Sequence, residues 1–356
     1  MTRDNYYAAL SHAGLRFEIQ DGALVNSTDS AAGSDSALCD LRQLAVLAMR
    51  GRDARKFLQG YLTCDVNALT PDRWLMGALC NIQGRMIGTM NVIGSGSATD
   101  EAVLMYLSAA TLPVVQQTLA KYAVFAKAKL QDETSAWVGI GLIGANAAEA
   151  IRVLYGVAPA TTAGTRQTVA PAPGPDPSHA TGTSSGNTFE LLSHGPARWE
   201  LWLPIAAAAT AWEALSAMLP VGDNLRWQCA GIADGVASIS GATTGEYLPQ
   251  AFNLDLIDAV SFSKGCYLGQ EIVTRLQHRG ESKRRLYRIA VPSTTLTGDR
   301  INRSDGRAVG EVVQIGRNSA GGFEALAVLD RNDAGGALHL PAGPVALLKL
   351  PYPFAD

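Results

Sequence analysis

The sequence predicts a mixed helix-and-strand chain that ends in a small all-β barrel. Up to about residue 239, segments of helical periodicity alternate with short apolar strands. Beyond Arg284 only short strands remain, "RRLYRIAV", "RAVGEVVQIG", "EALAVL" and "PVALLKL", separated by Gly, Asp and Asn turns. Between them, a Pro/Gly/Ala/Ser/Thr-rich stretch at 157–188 is poor in apolar bulk and reads as a flexible loop.

The elements follow in order. After a polar N-terminal stretch, "LRQLAVLAMRG" reads as a buried strand. "DARKFLQGYLTCDV" reads as a helix capped by Asp53, with Phe57, Leu58, Tyr61 and Leu62 on one face. "WLMGALCNIQGRMIGTMNVIG" is a hairpin pattern around "IQGR", and "VLMYLS" is a further strand. Thr111 ahead of Leu112-Pro113 marks a helix start, and "AKAKLQD" alternates as a half-exposed strand does. Residues 139, 141 and 144 form a GxGxxG, but Ile140, Leu142 and Ile143 make the glycine stretch itself the strand. With no acidic residue near twenty positions on, a dinucleotide site is not supported. "ARWELWLP" and "IAAAATAWEALSAML" then read as strand and helix, and 224–239 as a further helix.

Composition narrows the function. With 47% apolar and 17% charged residues, 356 residues suit a globular protein of two or three domains. No apolar run reaches eighteen residues, so no membrane partner is expected. The N-terminus has neither a signal-peptide nor a transit-peptide pattern, which gives a cytoplasmic expectation. The five cysteines are widely spaced without CxxC, and the five histidines are scattered, so no protein metal site is expected. Charge is uneven. Seven bases between Lys264 and Arg288 face only Glu271 and Glu281, a local +5 that leaves −8 on the rest of a −3 chain. Such a run suits an anionic ligand or a solvated charged turn.

The chemistry concentrates in "GEYLPQAFNLDLIDAVSFSKGCYLGQEIVTRL". Gln250, Asn253, Gln270 and Glu271 offer donors and acceptors, while Lys264 and Arg275 offer positive charge. Cys266 lies between Gly265 and Gly269, ahead of a helix expected at "GQEIVTRL". A helix N-terminus and Lys264 would both favour its thiolate. Most free cysteines are small buried hydrophobes, and Cys39, Cys64, Cys80 and Cys229 read that way; for Cys266 both readings stand.

"KGCYLGQE", from Lys264 to Glu271, resembles the signature of the YgfZ-type folate-binding proteins, relatives of the glycine-cleavage aminomethyltransferase implicated in iron–sulfur cluster maintenance. "DARKFLQGYLTCDVNAL", "ALCNIQGRMIGTMNV", "KYAVFAKAKLQD", "YLPQAFNLDLIDAVSF" and "HRGESKRRL" resemble the family's other blocks in the same order. The resemblance implies an α+β, three-subdomain, aminomethyltransferase-like cloverleaf fold with antiparallel sheets and a C-terminal β-barrel. The expected division is a discontinuous folate-binding domain from 1–70 and 189–282, a second domain at 71–156, the loop at 157–188, and the barrel at 283–356. Tetrahydrofolate or a one-carbon derivative is the implied cofactor. Carried over residue by residue are Lys264, Gly265, Cys266, Tyr267, Gly269, Gln270 and Glu271. The expected site takes Cys266 and Lys264 as its reactive pair and Trp227, Gln250, Asn253, Tyr267, Gln270, Glu271 and Arg275 as its binding set, Gln250, Asn253 and Arg275 being added for their polar groups and charge. Trp227 falls where the family has a folate-contacting aromatic; a flat indole suits a pterin or aminobenzoyl ring, and a plain core position suits it too. Where the family reads close to "IEAGIP" this chain has "IADGVA", with Ala233 and Ala237, and Leu44 replaces a first-strand aromatic.

The implied function is folate binding in support of iron–sulfur cluster assembly or repair, with iron–sulfur enzymes or assembly proteins as clients and an indirect effect on tRNA modification. The basic run Arg275–Arg288 would meet the folate glutamate tail. The alternatives are a folate-dependent aminomethyl- or methyltransferase, and an RNA-binding module using that run. Only Tyr287 interleaves it, so direct nucleic-acid binding there ranks last.

Overall fold

The computed structural model describes residues 2–20, 23–97, 100–172, 188–280 and 282–353. Two antiparallel-rich sheets face each other, and a closed barrel abuts them.

The first sheet runs in the order 166–169, 189–195, 198–204, 137–143, 37–40, 221–222, antiparallel throughout except for the last pair. Alternation sorts its side chains. Val138, Ile140 and Leu142, with Trp199, Leu201 and Leu203, point into a core closed by helices Arg3–His12, Ala145–Tyr155 and Ile205–Ser216. Gly139 and Gly141, with Arg198, Glu200 and Trp202, take the opposite face. The GxGxxG glycines therefore serve packing: a Cβ on Gly139 would sit 2.9 Å from the Trp202 ring, and one on Gly141 2.6 Å from the Trp227 ring.

The second sheet is antiparallel, in the order 75–80, 86–97, 100–108, 44–50, 129–132. One face packs on helices Ala54–Gln59 and Leu112–Ala123; the other presents Val46, Leu104 and Tyr106 to the first sheet. Tyr106 stacks on Trp202 across that junction, centroids 4.1 Å apart. The barrel closes through strands 284–291, 323–330, 308–317, 300–303, 338–340 and 343–348. It docks on helix Asn224–Ala233 so closely that a Cβ on Gly316 would lie 2.3 Å from the Cys229 backbone nitrogen.

The mixed class, the hairpin, the Leu112 helix and the terminal barrel match expectation. The division of the chain differs. Leu44–Arg50 bonds to 100–108 and 129–132, while 37–40 and 137–143 belong to the first sheet. The changeovers therefore lie at 41–43 and 133–136, not near 70 and 156. Arg166–Val169 is a strand within the expected loop, because it pairs with Phe189–Gly195; residues 173–187 of that loop lie outside the described residues. Helix Ala54–Gln59 is shorter than expected, and Asp53 does not cap it: its Oδ2 accepts the Lys127 backbone N–H at 2.8 Å. The 224–239 helix ends at Ala233, and the polar N-terminal stretch contains helix Arg3–His12.

Candidate functional site

A cavity of about 860 Å³ opens where the two sheets and the barrel meet. Strand alternation supplies one wall: Arg198 and Glu200 point into it because Trp199 and Leu201 point into the core. Helix Asn224–Ala233 lays Trp227 across Gly141, and the indole is 6% exposed. The Arg198 guanidinium carbon lies 4.9 Å from the Trp227 ring centroid, steadied by its Nε bond to Asp234 at 2.6 Å. His194 meets Trp227 edge-on at 6.4 Å and Trp74 at 4.8 Å.

Glu200 is the anionic centre of this wall. It is 3% exposed, accepts the Trp202 indole N–H at 2.9 Å, and has His194 Nε2 3.1 Å from its Oε1. Burial alone would raise its carboxyl, but His194, the Trp202 N–H and Arg198 outweigh that and hold it below the usual carboxylate range. Burial, reinforced by Arg198, lowers His194 against the pull of Glu200. The wall therefore offers Glu200 as a carboxylate acceptor, held low by its neighbours. Gln43 Oε1 and Asn224 Oδ1 also belong to lining residues, are buried, and have no hydrogen-bond partner among the described residues. Acceptors left this way cost stability unless a guest donates to them.

The "KGCYLGQE" loop forms a second, separate place. Its hollow is lined by Ile82, Cys266, Tyr267, Gln270, Glu271 and Arg275, none of which lines the cavity. Cys266 is exposed, whereas the other four cysteines are buried. The loop is anchored from behind. Leu268 N–H donates to Gly60 O at 3.1 Å, and Tyr267 N–H to Gln270 Oε1 at 3.3 Å. Gly269 adopts φ +82° against the Asn81 carbonyl, a position closed to any Cβ. Helix Gln270–Arg279 follows directly, with Cys266 ahead of its N-terminus as expected.

Several expected ligands are committed elsewhere. Lys264 Nζ donates to the carbonyls of Leu62 and Cys64, at 2.8 and 2.7 Å, and burial lowers its pKa to about 8. It acts as a brace between the loop and the segment after helix Ala54–Gln59. Gln250 Nε2 donates to Val273 O, and Asn253 Nδ2 to Leu286 O, so both amides tie the chain together away from the cavity lining. The basic run is dispersed by its own partners: Arg284 pairs with Asp330, Arg285 with Asp255 and Arg288 with Glu324. Only Trp227 of the expected binding set lines the cavity.

Residues 5–166 match the GCVT N-terminal domain family. A protein of Vibrio vulnificus strain YJ016, "tRNA-modifying protein YgfZ", is 31% identical over 297 residues, 80% of this chain and 82% of its own length. The chain belongs to the YgfZ family. A Yersinia pseudotuberculosis relative of the same name is 28% identical over 92% of this chain and 96% of its own. In fold, the glycine cleavage system aminomethyltransferase T of Bartonella henselae superposes with a TM-score of 0.77 at 16% identity, covering 97% of this chain and 96% of that one. The aminomethyltransferase-like architecture is thus shared.

In this YgfZ-family chain the signature loop lies outside the cavity, and Trp227 alone of the expected binding set lines it. Glu200, Arg198, His194, Gln43 and Asn224 carry no motif. One signal was available: in "ARWELWLP" a lone carboxylate and a base share one face of an otherwise apolar strand. Ala233 leaves no carboxylate at the position aligned with the "IEAGIP" glutamate, and Leu44, noted in the sequence as standing for a first-strand aromatic of some members, lines the cavity.

Proposed function

We propose that this protein binds tetrahydrofolate or a one-carbon derivative in the central cavity. The observation that carries the reading is Glu200, a buried carboxylate in the cavity wall that Trp227 also lines. The 2-amino-4-oxo edge of a pterin presents neighbouring N–H donors, which a carboxylate accepts in a bidentate manner, and its ring offers a flat face to an indole. Gln43 Oε1 and Asn224 Oδ1 are further acceptors for such donors, and exposed Arg73 at the lining offers charge to a glutamate tail. The volume falls within the range of cofactor sites. A bound folate would supply one-carbon chemistry; the chain's own groups bind, orient and shield it.

The second element of the proposal is support of iron–sulfur cluster assembly or repair, which reaches tRNA modification through cluster-dependent enzymes. It is supported by the exposed Cys266 thiol on a rigid loop and by the relatives' name. Titrating tetrahydrofolate into wild-type protein and Trp227→Ala by calorimetry tests the first element. Saturable binding weakened by the substitution is expected; no heat in either protein refutes it. For the second element, Cys266→Ala is expected to lower tRNA thiomethylation in cells lacking the endogenous copy. Full support by that variant refutes the thiol's role.

A further inference from the structure

Helix Ala54–Gln59 and the segment following helix Leu112–Ala123 form a surface that neither the cavity nor the Cys266 hollow uses. On one side of the short helix, Arg52, Arg55, Lys56, Gln59 and Asn67 line a hollow of about 290 Å³ with Glu101. Arg55 is locked there by Glu101 and by the carbonyls of Val66 and Leu69. Arg52 and Lys56 are exposed and have no carboxylate partner among the described residues. On the other flank, Phe57, Tyr61 and Tyr122 form a ladder of rings with centroids 4.6 and 5.1 Å apart. Phe125, 94% exposed, and Val124, 75% exposed, stand beyond it. Lys121, Lys127 and Lys129 lie on the same stretch of chain as Tyr122 and Phe125, exposed and likewise without a carboxylate partner among the described residues. The segment is held in place by the Lys127 N–H bond to Asp53 and by its close approach to Gly51, where a Cβ would lie 2.5 Å from Lys127 O.

We infer that this surface binds single-stranded nucleic acid, with phosphates at the basic hollow and bases against the exposed rings. A net-acidic protein that keeps five exposed cations without a carboxylate partner among the described residues, some on the flank beside solvent-facing aromatics and some on the other, attracts a polyanion with flat faces. The hollow and the rings lie on opposite flanks of one helix, about 10–12 Å apart with side chains, a span that a few nucleotides bridge. An acidic peptide would answer the cations but not the ladder of ring faces, so the polynucleotide is the better match. The Arg275–Arg288 run is a different surface, where Arg284, Arg285 and Arg288 are already held in ion pairs.

The test is fluorescence anisotropy of labelled oligo-rU and oligo-dT, each of about a dozen nucleotides, across a salt series. Four phosphate contacts, from Arg52, Lys56, Lys121 and Lys127, give a log–log salt slope of about −3, a loss of about 50-fold between roughly 50 and 200 mM salt. Arg52→Ala and Lys56→Ala each reduce that slope by about 0.7. Phe125→Ala and Tyr122→Ala weaken binding about tenfold without changing the slope. Unchanged melting midpoints show that the variants fold, and unchanged tetrahydrofolate titrations separate this surface from the cavity. Preference for rU or for dT reads the 2′-hydroxyl and the C5-methyl together, and either supports the inference. It is overturned by absence of saturable binding to both oligonucleotides, by a slope indifferent to Arg52 and Lys56, or by tighter binding of a Glu/Tyr copolymer.

Discussion

Gly141→Ala is the most informative single change at the cavity. The new Cβ would lie 2.6 Å from Trp227 Cε3, 2.7 Å from Cζ3 and 3.1 Å from Leu41 Cδ2, well inside contact distance. Gly141 has no left-handed φ, so the cost is steric rather than conformational. Overpacking of this kind costs about 1–3 kcal/mol, a fall of a few degrees in melting temperature. The indole must shift, and the stacking it offers, about 0.5–1.5 kcal/mol, is lost to the guest. Tetrahydrofolate affinity should therefore fall about three- to tenfold. Gly88→Ala is the matched control: its Cβ would lie 2.6 Å from Val115 Cγ2, in the core of the second sheet and away from the cavity. It should lower the melting temperature while leaving affinity unchanged. Calorimetry and thermal unfolding on both variants read the two effects separately. Equal affinity in both variants, with equal loss of stability, would refute the placement of Trp227 at the binding wall.

Other consequences concern stability and reactivity. Arg285 and Asp255 form a buried pair, side chains 11% and 3% exposed, so Arg285→Ala strands a buried carboxylate and should cost about 3–5 kcal/mol by denaturant unfolding. A cost under about 1 kcal/mol would show that Asp255 finds other relief. The Lys264 amine, lowered to about 8 by burial, should acylate with a pH midpoint near 8 by peptide mass mapping, whereas exposed lysines follow their usual, higher midpoint. The same shift has a stability sign. Between about pH 8 and the unfolded value, the unfolded chain holds a proton that the folded chain has released, so this group makes stability rise with pH there. A midpoint near the ordinary lysine value would overturn the burial argument.

Much of the fold was legible in the sequence because its signals are local. The Thr111-Leu112-Pro113 start, the "IQGR" turn and the run of short strands beyond Arg284 each report on neighbouring residues. What was illegible is relational. Leu44–Arg50 and Ala37–Asp40 are nearly contiguous yet join different sheets, a fact set by partners some 60 to 100 residues away. The site divided along the same line. "KGCYLGQE" announces itself by composition, but the cavity is assembled from Trp227, Glu200, His194 and Gln43 on separate elements. Gln250 and Asn253 show the converse hazard: polar residues next to a motif that are spent on backbone carbonyls of distant strands and helices.

The central claim is that folate is held by the Glu200 wall and not by the signature loop. Measuring tetrahydrofolate dissociation constants by calorimetry for wild type, Glu200→Gln and Cys266→Ser tests it most directly. Losing the charge on the acceptor removes about 1.5–3 kcal/mol, so Glu200→Gln should weaken binding by about 10- to 150-fold, with Cys266→Ser indistinguishable from wild type. Wild-type affinity in Glu200→Gln, or a loss confined to Cys266→Ser, would contradict the account.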